Sequence, residues 1–205
     1  MNELKEYFER RFGEHRVSDF EIDGIEVPLL KIELELSASP VTVIITNGLR
    51  NYAMPVPEKL MGQEHIELFF CLPSYWDLTD LKNENMSWPV TWLEKLGAHL
   101  VNSATWYGPG HTFANGNPHK SFSLTMKPNH LILTEPIKLE EHFPSTRLGE
   151  HHLSFLAVVP IFEQEFDIKM AKGFVKFLRK FRAKNGNEIV DDYRENIFKS
   201  RFRIF

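Results

Sequence analysis

Apolar side chains at Leu4, Tyr7, Phe8 and Phe12 recur at the spacing of one helical face, and Gly13 follows where a helix end favours a left-handed residue. The period then changes to two. Leu30, Ile32, Leu34 and Leu36 alternate with Lys31, Glu33 and Glu35, the pattern of a strand with one wet face. Val41 to Thr46 is β-branched and mostly apolar, which predicts a more central strand stopped by the turn pair Asn47-Gly48. Pro55 and Pro57 fall in the loop that follows. Strand character resumes from Glu64 to Leu72, and Pro73 ends it.

Trp92, Leu93, Leu96 and Leu100 form one helical stripe. Trp88-Pro89 is read as its opening, with Ser87 as the cap and Pro89 in the first turn, where a missing N–H costs nothing. A glycine-rich loop lies between Tyr107 and Pro118, and short strands are expected around Ser121–Met126 and His130–Thr134. His152 to Phe162 is nearly all apolar and predicts an interior strand. Phe174, Phe177, Leu178 and Phe181 mark a C-terminal amphipathic helix that Asn185-Gly186-Asn187 stops. Strands and helices come in blocks without strict alternation, which predicts an α+β single domain: a mixed, mainly antiparallel sheet packed with helices. The domain is expected to fill residues 1–205, with 185–205 as a C-terminal extension.

Composition narrows the function. The 205 residues suit one domain, and the 42% apolar fraction is ample for a core. A net charge of −4 lacks the basic surplus that phosphate binding needs, so no nucleic-acid partner is expected. Cys71 is the sole cysteine, which excludes an intramolecular disulfide and fits a reducing compartment. The N-terminus has no basic segment followed by an apolar run, and the longest apolar runs fall short of the ~20 residues of a membrane helix. A cytoplasmic protein without a membrane partner is expected.

Catalytic motifs are missing. The sequence has no GxSxG, HExxH, CxxC or Walker-type loop; Gly108-Pro109-Gly110 begins like a phosphate loop but lacks the third glycine and the lysine. Nine histidines raise a metal hypothesis that spacing weakens. His65 and Cys71 stand about 20 Å apart on one strand at ~3.3 Å per residue, and the neighbours His151 and His152 point to opposite faces. His111 and His119 could meet through the loop, but no third ligand stands at a known spacing. No metal and no cofactor are expected. Cys71, between Phe70 and Leu72, is read as a small buried hydrophobe rather than a nucleophile. Glu163, Glu165 and Asp167 follow the interior strand, where they serve a helix start as naturally as acid–base chemistry. Lys169 to Lys184 carries seven cations and no acid, and the expected arrangement is a helix docked by its phenylalanines with a solvated basic face. Glu188, Asp191, Asp192 and Glu195 are placed to neutralise part of that face.

Four ordered segments resemble the Suppressor-of-fused family. They are Val43-Ile44-Ile45-Thr46-Asn47-Gly48-Leu49 with Met54-Pro55-Val56-Pro57, and Glu64 through Pro73. The others are Trp88-Pro89-Val90-Thr91-Trp92-Leu93 running on to Thr105-Trp106 and Gly110-His111-Thr112, and Phe155 through Ile161 followed by Glu163 and Glu165. The resemblance covers roughly residues 25–180. It implies an α+β domain without catalytic residues. Animal members are intracellular and hold zinc-finger transcription factors of the Hedgehog pathway, taking a short peptide as an added strand partly between this domain and a second one. The second domain is expected to be absent here. An Asp precedes the matching histidine in the animal proteins, whereas this chain has Gly110, which departs from that peptide specificity. The chain resembles the compact, bacterial-type members, and that resemblance implies an immunity protein that neutralises a toxin.

These readings converge on a non-enzymatic binding module whose partner is another protein, a toxin encoded nearby. The expected surface comprises Trp106, Tyr107, Gly110 and His111 on the loop, with Glu163 and Glu165 beside it; aromatic side chains on a loop carry recognition at low entropic cost. Pinning of the loop to the core is an equal reading for Trp106 and His111. The alternatives are a hydrolase-like enzyme using His111 with Glu163 or Glu165, and a basic-helix contact to nucleic acid or membrane. The sequence leaves the oligomeric state open.

Overall fold

A computed structural model describes residues 3–22, 24–36 and 39–198. The last part of the expected C-terminal extension, 199–205, lies outside the described residues. Helix α1 (Glu3–Phe12) leads into strand β1 (Val17–Asp19), and β2 (Leu29–Glu35), β3 (Pro40–Thr46) and β4 (His65–Pro73) follow. Helix α2 (Glu84–Asn102) precedes β5 (Thr112–Ala114), β6 (His130–Thr134), β7 (Thr146–Leu148) and β8 (His151–Ile161). Helices α3 (Glu163–Lys172) and α4 (Phe174–Ala183) come last.

All eight strands join one sheet in the order β1-β2-β3-β4-β8-β6-β5, with β7 also paired to β8. Among the described strands β4–β8 is the parallel pair and the others are antiparallel; Ile189 adds a parallel bridge to Cys71. The long connection from β4 to β8 carries α2 and the three short strands, as a parallel crossover requires. The α+β single-domain architecture is therefore the one the pattern predicts.

Strand alternation divides the apolar side chains into two layers. Leu68, Phe70, Leu156 and Val158 pack with Trp88, Leu93, Leu96 and Leu100 of α2. On the other face Val43, Ile45, Phe69, Phe155 and Val159 pack with Leu4 and Phe8 of α1 and with Phe177 and Phe181 of α4. Cys71 belongs to this second layer, fully buried, and burial pushes its thiol pKa up, so it is a hydrophobe as expected.

Four details differ from the pattern. Helix α2 starts at Glu84, capped by the Asn83 side chain accepting from Asn85 N, so Ser87 is no cap and Pro89 lies inside the helix. A polar first turn hid that start. The segment Ser121–Met126 forms bends, with Phe122 and Met126 turned into the core, instead of a strand. The basic C-terminal segment is two helices, broken at Gly173 (φ 80°), whose left-handed backbone redirects the chain. Strands β1, β5 and β7, three residues each, carry too little period to be read.

Buried carboxylates tie distant loops to this frame. Glu188 accepts from the backbone N–H groups of Ile137, Lys138 and Leu139 at 2.7–3.0 Å. It therefore does not neutralise α4, and Asp192 is likewise taken by the Tyr75 hydroxyl at 2.6 Å. Lys176, Arg179, Lys180 and Arg182 stay exposed on α4 while Phe177 and Phe181 are buried. Glu188→Ala is expected to leave three main-chain donors unpaired and to lower stability by roughly 2–4 kcal/mol, measured by urea unfolding.

Candidate functional site

The glycine-rich loop is fastened to β6. Gly110 N donates to Leu133 O at 2.7 Å, and Leu133 N donates to His111 O at 2.9 Å. Gly110 adopts φ 93°, and a Cβ there would lie 2.8 Å from Cγ of Phe174. Only glycine fits both the backbone and the space. A Gly110→Asp variant is expected to displace Phe174 and cost about 2–3 kcal/mol, read by thermal unfolding.

Tyr107 is buried at 3% exposure. Its hydroxyl donates to Leu96 O at 3.2 Å and lies 2.7 Å from Nδ1 of His99. Burial raises its pKa, so the phenol stays protonated. Tyr107 therefore anchors the loop to α2. Trp106 is half-buried, and its ring centroid lies 4.4 Å from that of His111. Behind them stand Phe166, Lys169 and the exposed Met170 of α3. Together these side chains line a shallow groove of about 380 Å³.

The groove adjoins an open sheet edge. In the β5–β6 ladder, Phe113 faces Leu131 and Thr112 faces Ile132. Leu133 points its N–H and C=O toward the loop, so Leu131 does the same by alternation. Phe113 then pairs inward, and the N–H and C=O of Thr112 point outward from the last strand of the sheet.

Burial lowers the pKa of His111, and the positive charge of Lys169 lowers it further, against an opposing main-chain contact at Trp106. Its folded value lies below its unfolded one. Neutral His111 thus contributes stability above the unfolded value of about 6.5, and this is lost as pH falls through the folded value. An NMR titration is expected to place the His111 midpoint below that of a free histidine, and Lys169→Ala to move it back up.

Four of the six expected residues come together and two do not. Trp106, Tyr107, Gly110 and His111 form one wall. Glu163 is exposed and instead takes His119 Nδ1 at 3.1 Å and Asn129 Nδ2 at 3.4 Å; these contacts lower its pKa, that of His119 most. Glu165 is fully buried and bound by Arg194, so it offers no surface to a partner. Neither carboxylate partners His111, and the acid–base pair of the enzymatic alternative is not assembled. Imidazoles do pair elsewhere: His119 meets His130 with centroids 4.5 Å apart, and His65 meets His151 at 4.0 Å. Among the described residues, however, no three His, Cys, Asp or Glu side chains could hold a metal. None of the described helices is long and apolar enough to cross a membrane.

Sequence reasoning missed His99, Phe166 and Met170, and counted Lys169 only as part of a basic run. The sole signal was Met170 as an apolar residue among cations, and it does not say which loop that residue meets.

An α+β domain with helices on both faces of a mixed sheet, ending in a short bare strand, defines the structural class. The family model for the Suppressor of fused protein (SUFU) matches residues 20–195, slightly more than the segments that carry the resemblance. The chain belongs to the Suppressor of fused family. Drosophila Suppressor of Fused is similar at 15% identity and TM-score 0.61, over 83% of this chain and 43% of that one. This chain thus spans less than half of that relative's length. A chain of the Sufu-Fu complex crystal structure is similar at 15% identity and TM-score 0.65, over 96% of this chain and 89% of that one. A search of curated protein sequences gave no match.

Proposed function

We propose that the chain is a non-enzymatic protein-binding module that takes an extended partner segment on the bare edge of β5, with flanking side chains in the His111 groove. The carrying observation is the outward-facing main chain of Thr112 beside Trp106, His111 and Met170. An open edge supplies main-chain hydrogen bonds and the groove supplies side-chain specificity. Membership of a family with a solved protein complex supports the reading. At the finer level, we take the partner to be a toxin encoded nearby and the site of action to be the cytoplasm, as for compact members of immunity type. An interface of standard size would bury about 1,600 Å².

The test is affinity purification from the source cells with the tagged protein, beside a Trp106→Ala, His111→Ala double variant, with mass spectrometry of what is bound. One stoichiometric protein lost with the variant is the expected result. A central aromatic at an interface is worth roughly 2–4 kcal/mol, so the loss should be near complete at micromolar concentrations. The same partner retained by the variant would move the surface elsewhere. No partner, with turnover of a small molecule instead, would overturn the function.

A further inference from the structure

The sheet has a notch. Strand β6 pairs with β8 only up to Thr134 opposite Ala157, and β7 takes over only at Thr146 opposite Leu153. Ser154, Phe155 and Leu156 therefore have β4 on one side and no strand on the other. From Leu153 to Ala157 the bare side extends about 13 Å at ~3.3 Å per residue.

A cleft of about 580 Å³ opens at this notch. Its lining comes from both apolar layers, Ile66, Tyr107 and Leu156 from one and Phe143 and Phe155 from the other, so it cuts through the plane of the sheet. The main chain at its floor has a defined polarity. Gly110 and His111 hold Leu133, so Thr134 and Ile132 turn their N–H and C=O toward Ala157 and Val159. By alternation Phe155 presents its N–H and C=O in the same direction, into the notch. The Ser145 and Ser154 hydroxyls, 3.3 Å apart, sit at the rim. Exposed Lys59 and Arg182 also line it, as do exposed Glu135 and Glu140.

We infer that this cleft, which shares Trp106 and Tyr107 with the His111 groove but opens on β8, is a second binding site beyond the β5 edge, for an extended polypeptide segment of about three residues. The central residue bonds the main chain of Phe155 and places an apolar side chain in the cleft, and its neighbours carry charges of opposite sign. Extended polypeptide is the ligand class that offers a C=O and an N–H at strand spacing. The two cations and two carboxylates at the rim select for a segment with one acid and one base, in preference to a purely apolar one. The volume lies within the range of formed ligand sites.

Two measurements test this. In native-state hydrogen exchange the Phe155 amide should exchange at least tenfold faster than those of Leu153 and Ala157, because nothing in the sheet accepts from it. Equal protection would mean the notch is closed, and the inference fails. Next, a phage-displayed random hexapeptide library is panned on the folded protein, and the recovered peptides are synthesised and titrated calorimetrically. Bound peptide should slow Phe155 exchange and lose at least tenfold in affinity on Ser145→Trp, which blocks the rim from an exposed position. Gln63→Trp, at another exposed lining position, serves if the first variant does not fold. His111→Ala should leave this affinity within twofold, which separates the site from the β5 edge. Peptides sensitive to His111→Ala and indifferent to both tryptophans, or no peptide recovered, would overturn the inference. So would native mass spectrometry finding a retained small molecule that the tryptophan variants expel.

Discussion

Glu165→Ala is expected to lower the unfolding free energy by roughly 3–5 kcal/mol, the cost of leaving a buried charge without its partner. Both Glu165 oxygens accept from Arg194, at 2.6 and 2.8 Å, and the carboxylate also accepts from Phe162 N and Ile197 N at 3.0 Å. Arg194 donates further to Pro160 O at 2.9 Å, and its guanidinium lies 5.1 Å from the ring of Phe162 and 5.4 Å from that of Phe181. One carboxylate thus fixes the start of α3 and holds the segment after α4 against the end of β8. Thermal unfolding should show a midpoint lower by roughly 6–20 °C. Because α3 presents Phe166, Lys169 and Met170 to the His111 groove, partner binding should weaken as well, although Glu165 touches no partner. Glu165→Gln keeps the shape and should lose less; an equal loss from both variants would mean that packing, and not charge, holds the segment.

The second large effect is expected at Glu67, which is fully buried. It accepts from Thr46 Oγ1 at 2.5 Å, from Gly48, Leu49 and Arg50 N at 2.9–3.3 Å, and from the Arg50 guanidinium at 2.9 Å. These bonds close the turn between β3 and the loop that reaches Met54, which in turn contacts Tyr107 N through its sulfur at 3.3 Å. Burial raises the Glu67 pKa, and its contacts with Thr46 and Arg50 oppose the rise. Glu67→Ala removes the acceptor for three main-chain donors and strands Arg50, an expected loss of roughly 3–5 kcal/mol by denaturant titration. With desolvation the larger influence on this carboxyl, the neutral Glu67→Gln should retain more stability than Glu67→Ala. The opposite order would show that the full charge is needed.

Neither residue announced its role in the sequence. Glu67 stands in a strand whose period marks apolar neighbours, and nothing local says that the turn after Thr46 folds back over it. Glu165 was legible as a helix-start acid, but Arg194 lies 29 residues away. Elements with a long, regular period were readable: α1, β2, β3, β4, β8 and the phenylalanine stripe of α4 all stand where alternation or helical spacing places them. The break at Gly173 was not, since glycine inside a helix costs only about 1 kcal/mol and does not by itself end one. Half of the candidate site was legible for a similar reason. Trp106, Tyr107, Gly110 and His111 are close in the chain and sit in a loop marked by glycine and proline. Lys169 and Met170 reach the same groove only because α3 crosses behind it.

What the sequence determined by itself was the class: an α+β domain of the Suppressor of fused family, without catalytic motifs and with a recognisable glycine-rich loop. Periodicity is a local property, written by side-chain direction along each element. The tertiary structure decided which strands stay unpaired, at the β5 edge and at the β8 notch, and which carboxylates are buried as clamps instead of exposed as contacts. Those outcomes depend on pairing and burial between residues far apart in the chain, and no local pattern carries them.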